Sequence, residues 1–327
     1  MSSSIQTSRK YELDCQYLNS CFSGNGAVNK QKLVELLTRR NLQELRLIRQ
    51  TYSTLYNQDL LRVLSNIRIN NAFANVVCLR ITEPQERDAE LVRDALFGWR
   101  VNLNTVIEVA STRSSSELHF IKQAYSCRYN SNLEQDIAQK TDGTFKEILL
   151  AILKSSGKFG GRVDMSMAMC DAKILYEALE SGNSVDWKTI MSLISERNSG
   201  QIKAILISYK ELYGCEFSKF LKSNKCGKFG KDLRIVIQGI QYPQKFFAKQ
   251  LRGALQSDAQ EIVTRIIITR LGIDIKDISN VFAAKTGWSL GNLVRREFST
   301  AGSGNNTSAD KDYGLVAEFL LGLLKHC

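Results

Sequence analysis

The sequence predicts an all-α protein of four repeats, each with about five helices, arranged as two halves. One observation is a near-duplication: the segment "LRLIRQTYSTLYNQDLLRVL" at 45–64 returns as "LHFIKQAYSCRYNSNLEQDI" at 118–137, 73 residues later. Another is the spacing of apolar residues, which recur in steps of three and four, as on one face of a helix. Little of the chain alternates like a strand. A fixed period of this length is typical of repeat architectures.

Each copy of the repeat can be aligned on an arginine. The four anchor positions, spaced 73, 84 and 73 residues apart, are Arg40, Arg113, Arg197 and Arg270. Tyrosines follow at +12 and +16 in the first three copies, and apolar residues follow at +5, +8, +20 and +24 in all four. This pattern predicts two helices separated by a turn, placed at 57–58 in the first copy and at 130–131 in the second.

The longer middle interval predicts the domain boundaries. Its eleven extra residues match a Gly- and Ser-rich stretch, which indicates a linker between two halves of two repeats each. The predicted segments are 11–82 for repeat 1, 83–155 for repeat 2, 156–168 for the linker, 169–241 for repeat 3 and 242–327 for repeat 4. Pro84 and Pro243 suit the first turn of a helix and mark the opening helices of repeats 2 and 4.

The composition indicates which classes of partner and which cellular compartment to expect. Lys plus Arg minus Asp plus Glu is 44 − 33 = +11, which favours anionic partners such as phospholipid headgroups, nucleic acid or acidic proteins. The eight cysteines form no CxxC pair, and no apolar run resembles a signal peptide or reaches the length of a membrane span. We therefore expect a cytoplasmic protein whose contact with membranes is peripheral.

Several phrases of the repeats resemble the annexin family, and plant annexins in particular: "TEPQERDAELVRDAL", "IRQTYSTLYNQDLL" and "CDAKILYEAL". The resemblance implies a curved all-α disk whose convex face docks on acidic phospholipid through calcium ions. It further implies that backbone carbonyls of a G-x-G-T loop, between the first two helices of a repeat, hold each ion. An Asp or Glu from a later interhelical loop would complete each site. Calcium prefers such oxygen ligands, and the carboxylate supplies the charge.

The residues that this resemblance requires are largely missing. The loop of repeat 1 keeps Gly24 and Gly26 but not the threonine, and the other three loops keep one glycine or none. Counting from a preceding aromatic, the expected carboxylate positions are occupied by Ala74, Lys146, Gly230 and Gly314. Shifted carboxylates could substitute, and the candidates are Glu147, Asp232, Asp310 and Asp312. An insertion at 299–311 lengthens repeat 4. We expect calcium binding that is weak or lost.

Positive charge is the predicted replacement for calcium. Trp99 and Arg100 pair an interfacial aromatic with a cation, and Lys146 and Lys228 are further candidates for phospholipid contact. Trp99 equally fits a packing role. Two other functions stay open. One is calcium-dependent phospholipid binding through a residual site in repeat 1. The other is a scaffold for cytoskeletal or trafficking proteins, or a nucleic-acid-binding helical array.

Enzymatic activity is not expected. Plant annexins have been linked to peroxidase activity through a histidine whose position here is Arg39. The two histidines, His119 and His326, have no assignable catalytic partner, and no phosphate-binding G-x-x-x-x-G-K motif occurs. Nucleic acid is disfavoured as a partner because the aromatics lie on apolar stripes and no long basic run exists.

Overall fold

All regular secondary structure in the described part of this computed structural model is helical. The structure describes residues 2–22, 30–68, 71–155, 157, 162–180, 184–255, 259–299 and 308–326, without the side chains of 2–9, 299 and 308–311. Twenty α-helices lie in these ranges, five in each repeat. The predicted all-α fold of four five-helix repeats is therefore confirmed.

The chain forms two compact units, each with its own apolar core. Unit 1 comprises Met1–Thr82 and Phe247–Cys327, and unit 2 comprises Glu83–Phe246. The helices of repeat 1 are α1 Ser2–Phe22, α2 Lys30–Thr38, α3 Leu42–Tyr56, α4 Leu60–Ile67 and α5 Ala72–Ile81. The helices of repeat 2 are α6 Pro84–Phe97, α7 Leu103–Thr112, α8 Ser115–Tyr129, α9 Leu133–Lys140 and α10 Gly143–Ser155.

The second half of the chain repeats the pattern. The helices of repeat 3 are α11 Met165–Glu180, α12 Trp187–Glu196, α13 Ser199–Tyr213, the short α14 Phe217–Phe220 and α15 Gly227–Gln241, with a 3-10 turn at Asn224–Cys226 before α15. The helices of repeat 4 are α16 Pro243–Ala254, α17 Gln260–Arg270, α18 Ile275–Thr286, α19 Leu290–Ser299 and α20 Ser308–Lys325. Pro84 and Pro243 open α6 and α16, where their fixed φ suits the first turn.

The units group the repeats differently from the sequence-based expectation. Unit 2 contains repeats 2 and 3, and unit 1 contains repeats 1 and 4, so the long link at 156–168 does not separate the two units. Within unit 2, α10 packs against α12 and α15. Ser115 and Ser199 also exchange reciprocal hydrogen bonds, each backbone N–H donating to the other hydroxyl at 3.0 and 2.8 Å. Sequence spacing showed where the extra residues lie, but not which helices they bring together.

The anchor arginines are structural. Arg113 binds Asp88 of α6 through two parallel N–H···O bonds of 2.6 and 3.1 Å, and Arg40 and Arg197 bind Asp14 and Asp171 in the same way. Burial works against the charge of Arg113, but attraction and hydrogen bonding from Asp88 outweigh it and raise its pKa above the ordinary value. Each of these pairs joins the first helix of its repeat to the arginine two residues before the third helix.

Repeat 4 departs from this arrangement. Arg270 binds Asp274, four residues later, at 2.7 Å, and its guanidinium lies 4.8 Å from the centre of the Phe247 ring. The turn that follows the third helix is nevertheless kept in all four repeats. A residue in the left-handed region ends each of these helices: Asn57, Asn130, Gly214 and Gly287. Asn and Gly tolerate this conformation best, which confirms the turns predicted at 57–58 and 130–131.

Candidate functional site

The loop between the first two helices of each repeat, here called its first loop, is the candidate site. The loops of repeats 2 and 3 are closed in the same way by a backbone hydrogen bond. Asn102 N–H donates to the Ala95 carbonyl at 2.7 Å, and Asp186 N–H donates to the Ala178 carbonyl at 2.9 Å. The first loop of repeat 1, with Gly24 and Gly26, lies outside the described residues, as do 181–183 and 256–258 in the other loops.

The first loop of repeat 2 presents aromatic rings and cations to solvent. Trp99 is 89% exposed, and the Arg100 guanidinium lies 4.3 Å from the centre of its ring. Phe97 is 41% exposed, and the Lys140 ammonium lies 4.6 Å from its ring centre. We call Phe97, Trp99, Arg100 and Lys140 the Trp99 cluster. The exposure of Trp99 excludes the alternative in which it packs inside the protein.

In repeat 3 a lysine binds the helix end that leads into the first loop. The Lys225 ammonium donates to the Leu179 carbonyl, in the last turn of α11, at 2.8 Å. A cation is favourable there because the carbonyls at a helix C-terminus carry partial negative charge. Lys225 is one of five exposed lysines at intervals of three residues: Lys219, Lys222, Lys225, Lys228 and Lys231. No Asp or Glu lies between 217 and 231, so this five-lysine segment is strongly basic.

In repeat 4 an arginine takes the corresponding place. Arg296 donates to the Ala254 carbonyl at the end of α16 at 3.2 Å, and it binds the Glu297 carboxylate at 2.6 Å. The other carboxylate oxygen of Glu297 accepts the backbone N–H of Ala259 at 3.1 Å. Glu297 is only 5% exposed. The first loop of repeat 4 is thus closed by an internal ion pair, which we call the Arg296–Glu297 bridge.

In the described residues of repeats 2 to 4, basic side chains lie next to the first loops. A carbonyl at the end of the first helix is occupied by Lys225 in repeat 3 and by Arg296 in repeat 4. In repeat 4, the Glu297 carboxylate is paired with Arg296. In repeat 2, the cations of Arg93 and Lys140 lie against the Phe97 ring, and that of Arg100 lies against the Trp99 ring. Positive charge at these positions works against the binding of a divalent cation through Coulomb repulsion.

Sequence reasoning missed Phe97 and four residues from the fourth helix or just after it, namely Lys140, Lys225, Arg296 and Glu297. Lys140 and Glu297 both stand 27 residues after their anchor arginines, and Lys225 stands 28 after its own. The alignment on a later aromatic pointed instead to +33 and beyond. The signal was present in the repeat register, since these residues end the fourth helix or follow it closely. To use this signal, one must know that the end of the fourth helix, and not the start of the fifth, contacts the first loop.

The predicted carboxylate positions lie on the fifth helix of each repeat, namely Ala74 on α5, Lys146 on α10, Gly230 on α15 and Gly314 on α20. Ala74 is fully buried. A Cβ on Gly230 would stand 2.3 Å from the Cβ of Cys226, so no carboxylate fits there. Lys146 is half-buried in the first turn of α10, whereas Lys228 is exposed in the first turn of α15.

The proposed substitute carboxylates are partly engaged elsewhere. Asp232 is buried and accepts a hydrogen bond from the Thr144 hydroxyl, and Asp312 forms a 3.0 Å ion pair with Lys30. Glu147 is exposed. The side chain of Asp310, together with most of the 299–311 insertion, lies outside what the structure describes.

The histidines lie apart from these loops in sequence. His119 contacts the Gln123 amide at 3.0 Å, while His326 and Arg39 line the same small cavity. No helix among the described residues is long and apolar enough to cross a membrane.

Known proteins match this chain both within single repeats and over its length. The family model described as Annexin matches residues 13–67 and 87–152. Annexin D7 of Arabidopsis thaliana is 31% identical over 317 residues, which is 96% of this chain and 95% of that protein. The chain belongs to the annexin family. Annexin Gh1 of Gossypium hirsutum is 33% identical over 286 residues, covering 87% of this annexin and 90% of the cotton protein.

Solved structures agree on the fold. The structure of annexin III aligns with a TM-score of 0.78 at 25% identity, covering 95% of this annexin and 94% of that chain. A calcium-bound annexin (Sm)1 aligns with a TM-score of 0.72 at 23% identity, covering 95% and 90% of the two chains. Membership of the family supports phospholipid- and calcium-linked membrane binding in general.

Proposed function

We propose that this annexin binds acidic phospholipid membranes peripherally, from the cytoplasm, through its own basic and aromatic side chains, with calcium dependence weak or lost. The observation that carries the proposal is a basic side chain, not paired with a described carboxylate, at the first loops of repeats 2 and 3. Lys140 ends the fourth helix of repeat 2, and Lys225 closely follows the fourth helix of repeat 3. Calcium would bring positive charge to these loops, and the side chains bring it without an ion.

The Trp99 cluster supplies the membrane-facing chemistry. An indole that is almost fully exposed costs free energy in water, and it gains by entering the interface between headgroups and acyl chains. Arg100 beside the ring brings a cation to phosphate depth. Each Lys or Arg held near an anionic leaflet contributes about 1 kcal/mol, and salt screens that contribution.

The five-lysine segment of repeat 3 adds a second basic surface. It includes the predicted contact residue Lys228, and its lysines make no ion pair with any carboxylate that the structure describes. Lys146 is half-buried and is the weakest of the predicted contacts. Phospholipid contact through Trp99, Arg100 and Lys228 therefore stays in the proposal, with Lys140 and Lys225 added to it.

A calcium-dependent mode through repeat 1 is the second candidate. The glycines Gly24 and Gly26 favour it, because a loop of two glycines turns carbonyls toward an ion without interference from side chains. A scaffold for cytoskeletal or trafficking proteins is favoured by a different observation. Met165, Met167 and Met169 of α11 are 49%, 42% and 45% exposed, and exposed methionines adapt to varied apolar partners.

The test is vesicle co-sedimentation of the full chain in EGTA, with phosphatidylserine or phosphatidylcholine vesicles at about 50 mM and about 150 mM salt, where the Debye length shortens to about 8 Å. The proposal predicts binding to phosphatidylserine that weakens as salt rises, and little binding to phosphatidylcholine. Equal binding to both lipids, or none to either, would count against a basic membrane surface. The second result would favour protein partners.

A further inference from the structure

A cavity in unit 1 is lined by basic side chains from three different helices. It has a volume of about 560 Å³ and lies among the starts of α18 and α19 and the end of α20. Lys276 comes from α18, Arg295 from α19 and Lys325 from α20. None of its lining residues is acidic. The volume falls within the range of about 300–1,000 Å³ that is usual for small-molecule sites.

The three cations are available to a ligand. Lys276 and Lys325 are exposed and form no ion pair with a described carboxylate. The Arg295 guanidinium donates one hydrogen bond to the Asn292 side chain at 3.1 Å, which uses one of its five N–H groups. The same Nη1 lies 3.6 Å from the position that a Cβ on Gly291 would take, so the guanidinium folds over the first turn of α19.

The rest of the lining combines hydrogen-bond donors with an apolar wall. Ser279 and Asn280 of α18 offer a hydroxyl and an amide. The Ser289 hydroxyl oxygen accepts the N–H of Asn292 at 3.0 Å and keeps its own proton for donation. Leu290 and Leu321 form part of the apolar wall. Two helices also begin at this cavity, and the positive ends of their dipoles add to the field of the cations.

We propose that this cavity binds a phosphate monoester attached to a small apolar body. Three cations with hydroxyl and amide donors match a dianion with three acceptor oxygens better than they match a carboxylate. The leucine wall would take the apolar body, which inorganic phosphate lacks. This site is distinct from the membrane-binding proposal, because it uses no residue of the Trp99 cluster, the five-lysine segment or the Arg296–Glu297 bridge.

The test is isothermal titration of the full chain with phenyl phosphate, inorganic phosphate and phenol at physiological ionic strength. We expect saturable binding of phenyl phosphate, weaker binding of inorganic phosphate and none of phenol. The double variant Lys276→Gln/Arg295→Gln should weaken phenyl phosphate binding at least tenfold. Lys285→Gln, an exposed lysine of α18 outside the cavity, is the matched control and should leave binding unchanged. Absence of saturable binding, or equal binding by the double variant, would overturn the proposal.

A neutral variant separates the cavity from surface charge. Ser279→Leu fills the cavity without altering any charge, so it should reduce phenyl phosphate binding much more than inorganic phosphate binding. Unchanged phenyl phosphate affinity in this variant would overturn the assignment of the ligand to the cavity. Retained thermal unfolding temperatures for all variants would exclude misfolding as the cause of any loss.

The same variants distinguish two sources of the phosphate monoester. Phosphatidic acid carries this group at the membrane surface, and soluble phosphate esters carry it free in solution. If Lys276→Gln/Arg295→Gln weakens binding to vesicles containing phosphatidic acid, but not to phosphatidylserine vesicles, the site accepts a lipid headgroup. If only the phenyl phosphate titration changes, the ligand is a soluble ester. Both results support the phosphate site.

Discussion

Repeats 2 and 4 differ in how their anchor arginine and the basic residues near their first loop are paired. In repeat 2, the anchor Arg113 makes a buried pair with Asp88, while the cations near the first loop, Arg100 and Lys140, lie against exposed rings. In repeat 4, the anchor Arg270 pairs with Asp274, four residues later, and Arg296 at the loop forms an ion pair with Glu297. A basic residue near a loop is thus not by itself a membrane contact, because what matters is whether a carboxylate already neutralises it.

The largest expected effect concerns the anchors. Asp88→Asn should lower the free energy of unfolding by about 3–5 kcal/mol, because it leaves Arg113 charged and buried without its partner. Asp274→Asn should cost about 2 kcal/mol, since Arg270 keeps its contact with the Phe247 ring. Urea denaturation measures both. Equal losses would mean that the two anchors are equivalent despite their different geometry.

A substitution at the first loop of repeat 4 should lower the stability of the protein but leave its membrane binding unchanged. Arg296→Met leaves the buried Glu297 carboxylate without its counter-ion, and we expect a loss of about 2 kcal/mol in the free energy of unfolding. Binding to phosphatidylserine vesicles in EGTA should stay unchanged. A large loss of vesicle binding in a folded Arg296→Met protein would contradict the reading of this arginine as internal.

Variants in the first loop of repeat 2 should lose membrane binding while keeping their stability. Arg100→Gln/Lys140→Gln removes two exposed cations, each contributing about 1 kcal/mol near an anionic leaflet, so vesicle affinity should fall about thirtyfold. Stability should change little, because neither residue forms an ion pair with a described carboxylate. Affinity within threefold of the wild type would remove the Trp99 cluster from the proposed membrane surface.

The aromatic part of the cluster should contribute least. Trp99→Phe/Arg100→Gln, compared with Arg100→Gln alone, isolates the indole, and we expect a further loss of a few-fold in vesicle affinity. Trp288→Phe in repeat 4 is the matched control, because Trp288 is 39% exposed against 89% for Trp99. Tryptophan emission should shift to shorter wavelength on vesicle binding, and this shift should disappear with Trp99. A shift that persists would place another tryptophan at the membrane.

The sequence predicted most of the fold because periodicity survives in the helices. The anchor spacing, the prolines and the turn residues all followed from residue chemistry, and each is found where expected. The grouping of repeats into units was not predictable, because it depends on contacts between helices far apart in the chain, such as Ser115 with Ser199.

The site was only partly predictable for a related reason. Trp99 and Arg100 lie in the loop itself, so loop composition indicated them. Lys140, Lys225 and Glu297 reach the loops from another helix, and only the packing shows the contact. The partner of Arg296 in particular decides whether its charge is free, and a sequence motif carries no such information.

The proposed replacement of calcium by built-in cations can be tested through the ratio of two affinities. The dissociation constant for phosphatidylserine vesicles should be measured at physiological salt, once in EGTA and once in millimolar calcium. We expect a ratio of the two dissociation constants within about threefold of one, equivalent to less than about 0.7 kcal/mol. Asp142→Asn, which removes the exposed carboxylate two residues after Lys140, should leave that ratio unchanged. A hundredfold higher vesicle affinity in calcium would show that calcium is still required. It would assign the binding to a calcium site that uses Asp142 if Asp142→Asn abolishes the gain, and to another site, such as the loop of Gly24 and Gly26, if it does not.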